Sequence, residues 1–337
     1  MYRKIMSFLE AWKDSEHRKP LILQGARQVG KTYSILEFGR TCYENVAYFN
    51  FETNPKLNET FEENISPDYL IPILSHIAGQ TIVKEKTLIV FDEVQLCERA
   101  LTSLKYFCED APDYHIIVAG SLLGVAVNRA KFSFPVGKVD MKTLYPMDME
   151  EFMIACGESA LVEQIKKCFA EDKPLPSALH DAAMQLYRQY LIVGGMPECV
   201  LQFKETKDYI LVRHTQDTIL ASYLNDMSKY NNVNEIKKTR LAYDNITVQL
   251  SKKNTRFQYK LIKKGGRASE FVNAIEWLCL SGIVSQVYKV EQIKKPLENY
   301  RDIDAFKIYV SDLGLLCAKK DLAANDVLYM VEELNDF

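Results

Sequence analysis

Residues 25–32 read Gly25-Ala26-Arg27-Gln28-Val29-Gly30-Lys31-Thr32 and fill every fixed position of the pattern GxxxxGK[ST]. At an average glycine usage of about 7 per cent, the bare pattern turns up by accident in roughly one chain in a hundred of this length. Context tightens it, because the apolar run at 21–24 leads in and a helix-compatible segment leads out. Gly25 and Gly30 let the backbone turn tightly and approach an anion, and successive N–H groups point inward. The helix start that follows adds partial positive charge. Lys31 then reaches the β and γ phosphates of a nucleotide, and the Thr32 hydroxyl sits on Mg²⁺. Residues 25–32 and the adjoining Tyr33 are therefore the expected nucleotide contacts.

That loop needs a strand before it and a helix after it, and the flanking sequence repeats the alternation. Short apolar runs at 21–24, 46–51, 87–92, 115–120 and 139–144 are separated by helix-length amphipathic segments near 30–40, 68–79 and 99–109. Strands alternating with helices predict an α/β fold, a parallel sheet with helices on both faces. The segment "LIVF" at 88–91 is apolar on consecutive residues, as a doubly covered strand should be.

The same segment ends in Asp92 and Glu93, at the edge where open α/β sheets gather their ligands. Asp92 is expected to hold the Mg²⁺ shell, and Glu93 to orient or deprotonate the water that attacks the γ-phosphate. Without the loop these would be an ordinary acidic strand end. In nucleotidases with an extra strand between these two elements, a polar residue after the next strand senses the γ-phosphate. The run "VAYFNF" precedes "LIVFDE" here, and Ser121 follows the strand at 115–120; it reads first as that sensor and second as a plain turn residue. An arginine completing the phosphate charge is also expected, with Arg27, Arg40 and Arg129 as candidates.

With 337 residues the chain has material for about two domains. Its formal charge of −3 excludes a polyanion binder by bulk electrostatics, so any nucleic-acid surface must be local. The eight cysteines form no CxxC pair and no close Cys/His set, which predicts free thiols in a reducing compartment. Ile5, Phe8, Leu9 and Trp12 fall at helical spacing, so the start reads as an amphipathic helix and not a signal peptide. No apolar run approaches the roughly 18 residues of a membrane span, and a cytoplasmic location is expected.

Beyond residue 150 the signals are weaker. A connecting helix and a Pro-marked loop fit 153–180, and a helix near 186–200 breaks at Gly194-Gly195, either a hinge or a plain helix end. From 236 to 290 the pattern is helix, short helix, glycine turn, helix and a β-rich tail, the order of a winged helix. Between Lys229 and Arg267 stand eleven Lys or Arg against Glu235 and Asp244, a net of +9. That charge suits phosphates. Yet the third helix carries Ser269, Glu270, Asn273 and Glu276 on its polar positions, which is poor for reading a major groove. Non-specific DNA binding through 229–267 and a solvated or protein-facing charge run remain the alternatives.

Taken in order, "ILQGARQVGKT", "LIVFDEVQ", "IIVAGSLLG", "LYPMDMEEF", "YLIVGGMPECV" and "FKIYVSDLGLL" resemble the AAA-like family of bacterial and archaeal ATPases. The resemblance covers nearly the whole chain. It implies a three-layer P-loop NTPase core over 1–150, a helical connector or lid over 151–232 and a winged-helix-like domain over 233–320, with a tail at 321–337. It also implies ATP and Mg²⁺ as ligands, with Gly25 to Thr32 on the nucleotide, Asp92 and Glu93 on Mg²⁺ and the attacking water, and Ser121 sensing the γ-phosphate. The family pattern usually runs on into a nuclease-like segment with a Glu-x-Lys. None follows Asp312, so no nuclease activity is expected. The leading expectation is ATP hydrolysis serving as a switch for the C-terminal segments. The alternative is an ATP-regulated module binding nucleic acid or a protein partner with little turnover. Oligomeric state is not legible.

Overall fold

The computed structural model describes residues 1–120, 134–229, 233–252 and 256–329. The chain divides into two compact units, Arg3–Tyr145 and Pro146–Phe337, the latter taking in Met1–Tyr2.

In the first unit, α1 (Ile5–Lys13) buries Ile5, Leu9 and Trp12, the stripe its spacing predicts. Five parallel strands follow among the described residues: β1 (Leu21–Gln24), β2 (Asn45–Asn50), β3 (Thr87–Asp92), β4 (His115–Ala119) and β5 (Asp140–Thr143). Their order across the sheet is β2-β3-β4-β1-β5. All six residues of β3 and all five of β4 are buried, which accounts for the unbroken apolar runs at 88–91 and 116–119. Leu57, Phe61, Leu70, Leu74, Leu104 and Phe107 from three helices pack on one face of the sheet beside Ile89 and Phe91. Of those three, α3 (Leu57–Glu63) has no counterpart in the sequence reading, whereas α4 (Pro67–Ala78) and α5 (Glu98–Asp110) do.

The run "VAYFNF", expected as a strand ahead of "LIVFDE" in the chain, is β2, and it lies at the sheet edge. The strand lodged between β1 and β3 is β4, the one that leads toward Ser121. Sequence order hides this because β4 follows β3 in the chain and then crosses back beside β1.

At the N-terminal end of β4, His115 is buried against the rings of Trp12 and Tyr43, both of which also meet Phe38. Its Nδ1 lies 2.6 Å from the Tyr43 hydroxyl. Burial pushes the imidazole down to about 4 and the phenol above its usual range.

The second unit opens with α6 (Met149–Ala155), whose Asp148 and Glu151 form a capping box. Helices α7 (Ser159–Ala170), α8 (Ser177–Val193), α9 (Pro197–Thr206) and α10 (Tyr209–Lys229) follow. Helix α8 ends at the double glycine. A Cβ on Gly195 would lie 1.9 Å from the Met147 carbonyl oxygen, so only glycine fits. The buried Asp312 accepts from Gly195 N at 2.6 Å and from Leu315 N at 2.8 Å, and burial pushes its carboxyl up to about 6 against those bonds. Gly194-Gly195 is thus a closely packed corner. Helices α11 (Val233–Ser251), α12 (Tyr259–Ile262) and α13 (Ala268–Leu280) then lead into an antiparallel pair, β6 (Val284–Val290) and β7 (Arg301–Val310). This is the winged-helix-like order expected, with Phe271, Ile275, Trp277 and Leu278 buried on α13. Among the described residues no helix is long and apolar enough to cross a membrane.

Candidate active site

The loop at 25–30 joins β1 to α2 (Lys31–Cys42) at the C-terminal edge of the sheet. Gly25 has φ +149°, and a Cβ there would lie 2.2 Å from the Leu144 carbonyl oxygen. Leu144 N in turn donates to Gln24 O at 2.8 Å, so the loop's first turn is pressed against the residue that follows β5. Gln28 and Gly30 also take positive φ, 66° and 91°, and Gly30 caps α2. Such alternating backbone turns its N–H groups toward one concavity. Ala26 and Val29 are buried, Arg27 is half-buried, and Gln28 and Tyr33 are exposed.

Lys31 is 7% exposed, and its Nζ donates to Gly25 O at 2.9 Å and Ala26 O at 2.8 Å. Burial pushes this amine down to about 8, partly opposed by the nearby carboxylates of Glu93 and Asp92.

Thr32 begins the joining of the two sequence elements. Its Oγ1 donates to Asp92 Oδ2 at 2.9 Å, and the Tyr48 hydroxyl donates to the same oxygen at 2.7 Å. The other oxygen, Oδ1, accepts from Glu93 N at 3.0 Å. Tyr48 belongs to β2, where Asn50 is in register with Asp92 and donates through Nδ2 to the Tyr48 hydroxyl at 3.2 Å. Burial first, and the hydrogen bond to Asp92 after it, push this phenol up to about 12, which keeps it a neutral donor.

Immediately past β3, Glu93 adopts a left-handed backbone at φ 51°, an uncommon conformation for a residue with a side chain. A single 3₁₀ turn, Val94–Leu96, follows, and Gln95 Nε2 donates to Glu93 Oε2. Arg3 is 4% exposed and grips the loop's flank: Nη1 donates to Val29 O at 2.9 Å and Nη2 to Tyr145 O at 2.7 Å.

The structure thus brings together Lys31, Thr32, Asp92 and Glu93. Ser121 and Arg129 lie outside the described residues. Arg40 stands on the last turn of α2, roughly 13 Å along the axis from Lys31 at the helical rise per residue. It is bonded there to Glu37 at 2.6 and 3.0 Å and takes no part in this cluster. Sequence reasoning missed Arg3, Tyr48, Asn50 and Gln95. The alternation Tyr48, Asn50 on an otherwise apolar strand is the signal that points to two of them. Oxygen ligands from Thr32 and Asp92, close enough to share one hydrogen bond, fit the hard-cation chemistry of Mg²⁺, which takes one or two protein oxygens and completes its shell with phosphate and water.

Two family models match parts of the chain. Residues 17–153 match the family described as AAA domain, and residues 184–326 match a domain of unknown function, DUF8612. Among solved structures, the Walker-type ATPase of Pyrococcus abyssi is 13% identical, with 95% of each chain covered and a TM-score of 0.56. At that identity the likeness is one of fold. The ORC2 protein of Aeropyrum pernix, solved as ADPNP-ADP complexes, is 12% identical over 99% of this chain and 94% of that one, with a TM-score of 0.45. The RuvB Holliday junction branch migration motor of Thermotoga maritima is 13% identical over 91% and 90%, with a TM-score of 0.36. No curated protein matches the sequence.

Proposed function

We propose that this chain, an AAA-like P-loop ATPase, hydrolyses ATP with Mg²⁺ as a switch for its C-terminal segments. The observation that carries the reading is the shared oxygen of Asp92, which ties Thr32 of the phosphate loop to the end of β3 at 2.9 Å. Residues 25–33 hold the nucleotide, with backbone N–H groups on the phosphates and Lys31 exchanging its bonds to Gly25 O and Ala26 O for phosphate oxygens. Thr32 and Asp92 hold Mg²⁺, whose charge neutralises the β and γ phosphates when it is bound. Glu93 takes a proton from the attacking water, and Ser121 senses the γ-phosphate. Arg27, within the loop, adds charge beside it.

The second unit is read as a helical lid over 151–232 and a winged-helix-like part over 233–320. Trp277 is buried on α13, and Trp12 is the chain's other tryptophan. In a Trp12→Phe variant, Trp277 emission reports on the second unit alone. The switch reading expects emission to change on adding ATP and to return as ATP is consumed. Emission indifferent to nucleotide, with turnover intact, contradicts it.

A second reading, backbone-level DNA binding with little turnover, draws on the exposed cations Lys237, Arg240, Lys252, Arg256, Lys260 and Lys264. The exposed Glu276 and the pairing of Glu270 with Lys263 at 3.1 Å speak against groove reading by α13. Measuring ATPase activity with and without DNA separates the two: salt-sensitive stimulation makes DNA the partner, and indifference to DNA favours a protein partner.

A further inference from the structure

Gln95 has one half of its amide engaged and the other half idle. Its Nε2 donates to Glu93 Oε2, while its Oε1 is buried and accepts no hydrogen bond among the described residues. The orientation is forced, because turning the amide over would set its oxygen against the carboxylate. A buried amide oxygen without a donor is costly, and most such atoms have a partner. A donor that reached this oxygen would lie beside Glu93, because the same amide's nitrogen is bonded to that carboxylate. A water molecule meets that condition, given two or more polar partners.

The chemistry at this position asks for such a water. A water attacking phosphorus commits a lone pair to the new bond and must aim its two hydrogens elsewhere. Glu93 accepts one, and a second acceptor fixes the rotation of the molecule about that first bond. We propose that Gln95 orients the attacking water, its Oε1 accepting the hydrogen that the water keeps while Glu93 takes the one it loses. This rests on the reading of Glu93 as the base. In the step, the water oxygen's lone pair forms the bond to the γ-phosphorus. The bond from that phosphorus to the β–γ bridging oxygen breaks, and its electron pair leaves on ADP. One proton passes to the Glu93 carboxylate and is later released to solvent, and the other remains on the inorganic phosphate. Nε2 meanwhile steadies Glu93, whose left-handed backbone starts the short turn that carries Gln95. A glutamine that orients the attacking water is known chemistry in other nucleotidases.

The test compares turnover with nucleotide affinity in the full chain. Gln95→Met keeps the length and apolar volume of the side chain but removes both donor and acceptor; Gln95→Ala serves if the longer side chain disturbs folding. We expect kcat to fall about 100-fold while the Kd for ATP changes by no more than about twofold, the split of a group that acts only in the transition state. In a Glu93→Gln background the same change should remove no more than about another twofold, since both residues act on one water. Wild-type kcat in a folded Gln95 variant, a Kd that weakens in step with kcat, or a full multiplicative loss in the Glu93→Gln background would each overturn the inference. Wild-type turnover in Glu93→Gln itself overturns the assignment of the base, and this inference with it. Loss in Glu93→Gln beside unchanged turnover in Gln95→Met overturns this inference alone.

Discussion

Thr32 and Asp92, 60 residues apart in sequence, are joined by one hydrogen bond of 2.9 Å from Oγ1 to Oδ2. The bond sets a neutral donor on the oxygen that is read as facing Mg²⁺, so metal binding exchanges one partner for another and leaves no buried carboxylate oxygen bare. Lys31 is in the same position, its ammonium resting on two loop carbonyls. Both motifs are held near their working geometry by contacts that phosphate and metal can replace.

Replacing Lys31 with alanine should therefore separate binding from folding. The Kd for ATP, measured by titration calorimetry, should weaken by about 100-fold or more, the scale of charged hydrogen bonds lost in a buried site. Thermal stability should change little, because burial already disfavours the ammonium, as its downward shift to about 8 reflects, and that relief offsets the bonds lost at the carbonyls of Gly25 and Ala26. A variant that melts early and still binds ATP would contradict the assignment.

Tyr48→Phe removes one of the two hydroxyls on Asp92 Oδ2, and with it the acceptor of Asn50 Nδ2. The Mg²⁺ concentration for half-maximal turnover should rise about tenfold, equivalent to about 1.4 kcal/mol, while ATP affinity in the absence of Mg²⁺ stays put. An unchanged Mg²⁺ requirement would show that Tyr48 does not hold the metal-facing carboxylate.

Arg3→Ala leaves the carbonyls of Val29 and Tyr145 without their guanidinium donors. Each should cost about 1–3 kcal/mol in urea unfolding, and ATP affinity should fall about tenfold as the loop loosens. Arg3→Lys should recover only part of this, since an ammonium cannot reproduce a planar fork reaching two oxygens.

The strands, the phosphate loop and the acidic pair were legible because each rests on local chemistry. Apolar runs mark β1, β3 and β4, two glycines and a lysine mark the loop, and Asp92 ends a buried strand. Arg3 was not legible. It stands 26 residues from Val29 and 142 from Tyr145, and nothing in its neighbours distinguishes it from Lys4 beside it or Lys13 at the end of α1. Tyr48 and Gln95 were hidden differently. Their partners, Asp92 and Glu93, were recognised, but only strand pairing and a left-handed turn bring the side chains to them. Helix α3 escaped because seven residues with two buried apolar side chains leave little periodic signal.

His115 predicts a pH dependence of stability in the first unit. Its folded-state value is depressed from 6.5 to about 4, so below pH 6.5 the unfolded chain binds the extra proton and the folded chain refuses it. Stability should accordingly fall as pH drops from 6.5 toward 4, with no contribution from this group above that window. Chemical denaturation of His115→Phe should show a constant offset and a shallower decline than the wild type. Parallel declines would place the imidazole in water.

Glu93, the proposed base, activates water at the site that Lys31, Thr32 and Asp92 form on the proposed reading. Rapid-mixing measurement of phosphate release from a single turnover of bound ATP tests it most directly, comparing the wild type with Glu93→Gln. Glu93→Gln should bind ATP within about threefold of wild type and release phosphate at least about 100-fold more slowly. Phosphate release at the wild-type rate from Glu93→Gln, with ATP bound equally well, would contradict that role for Glu93.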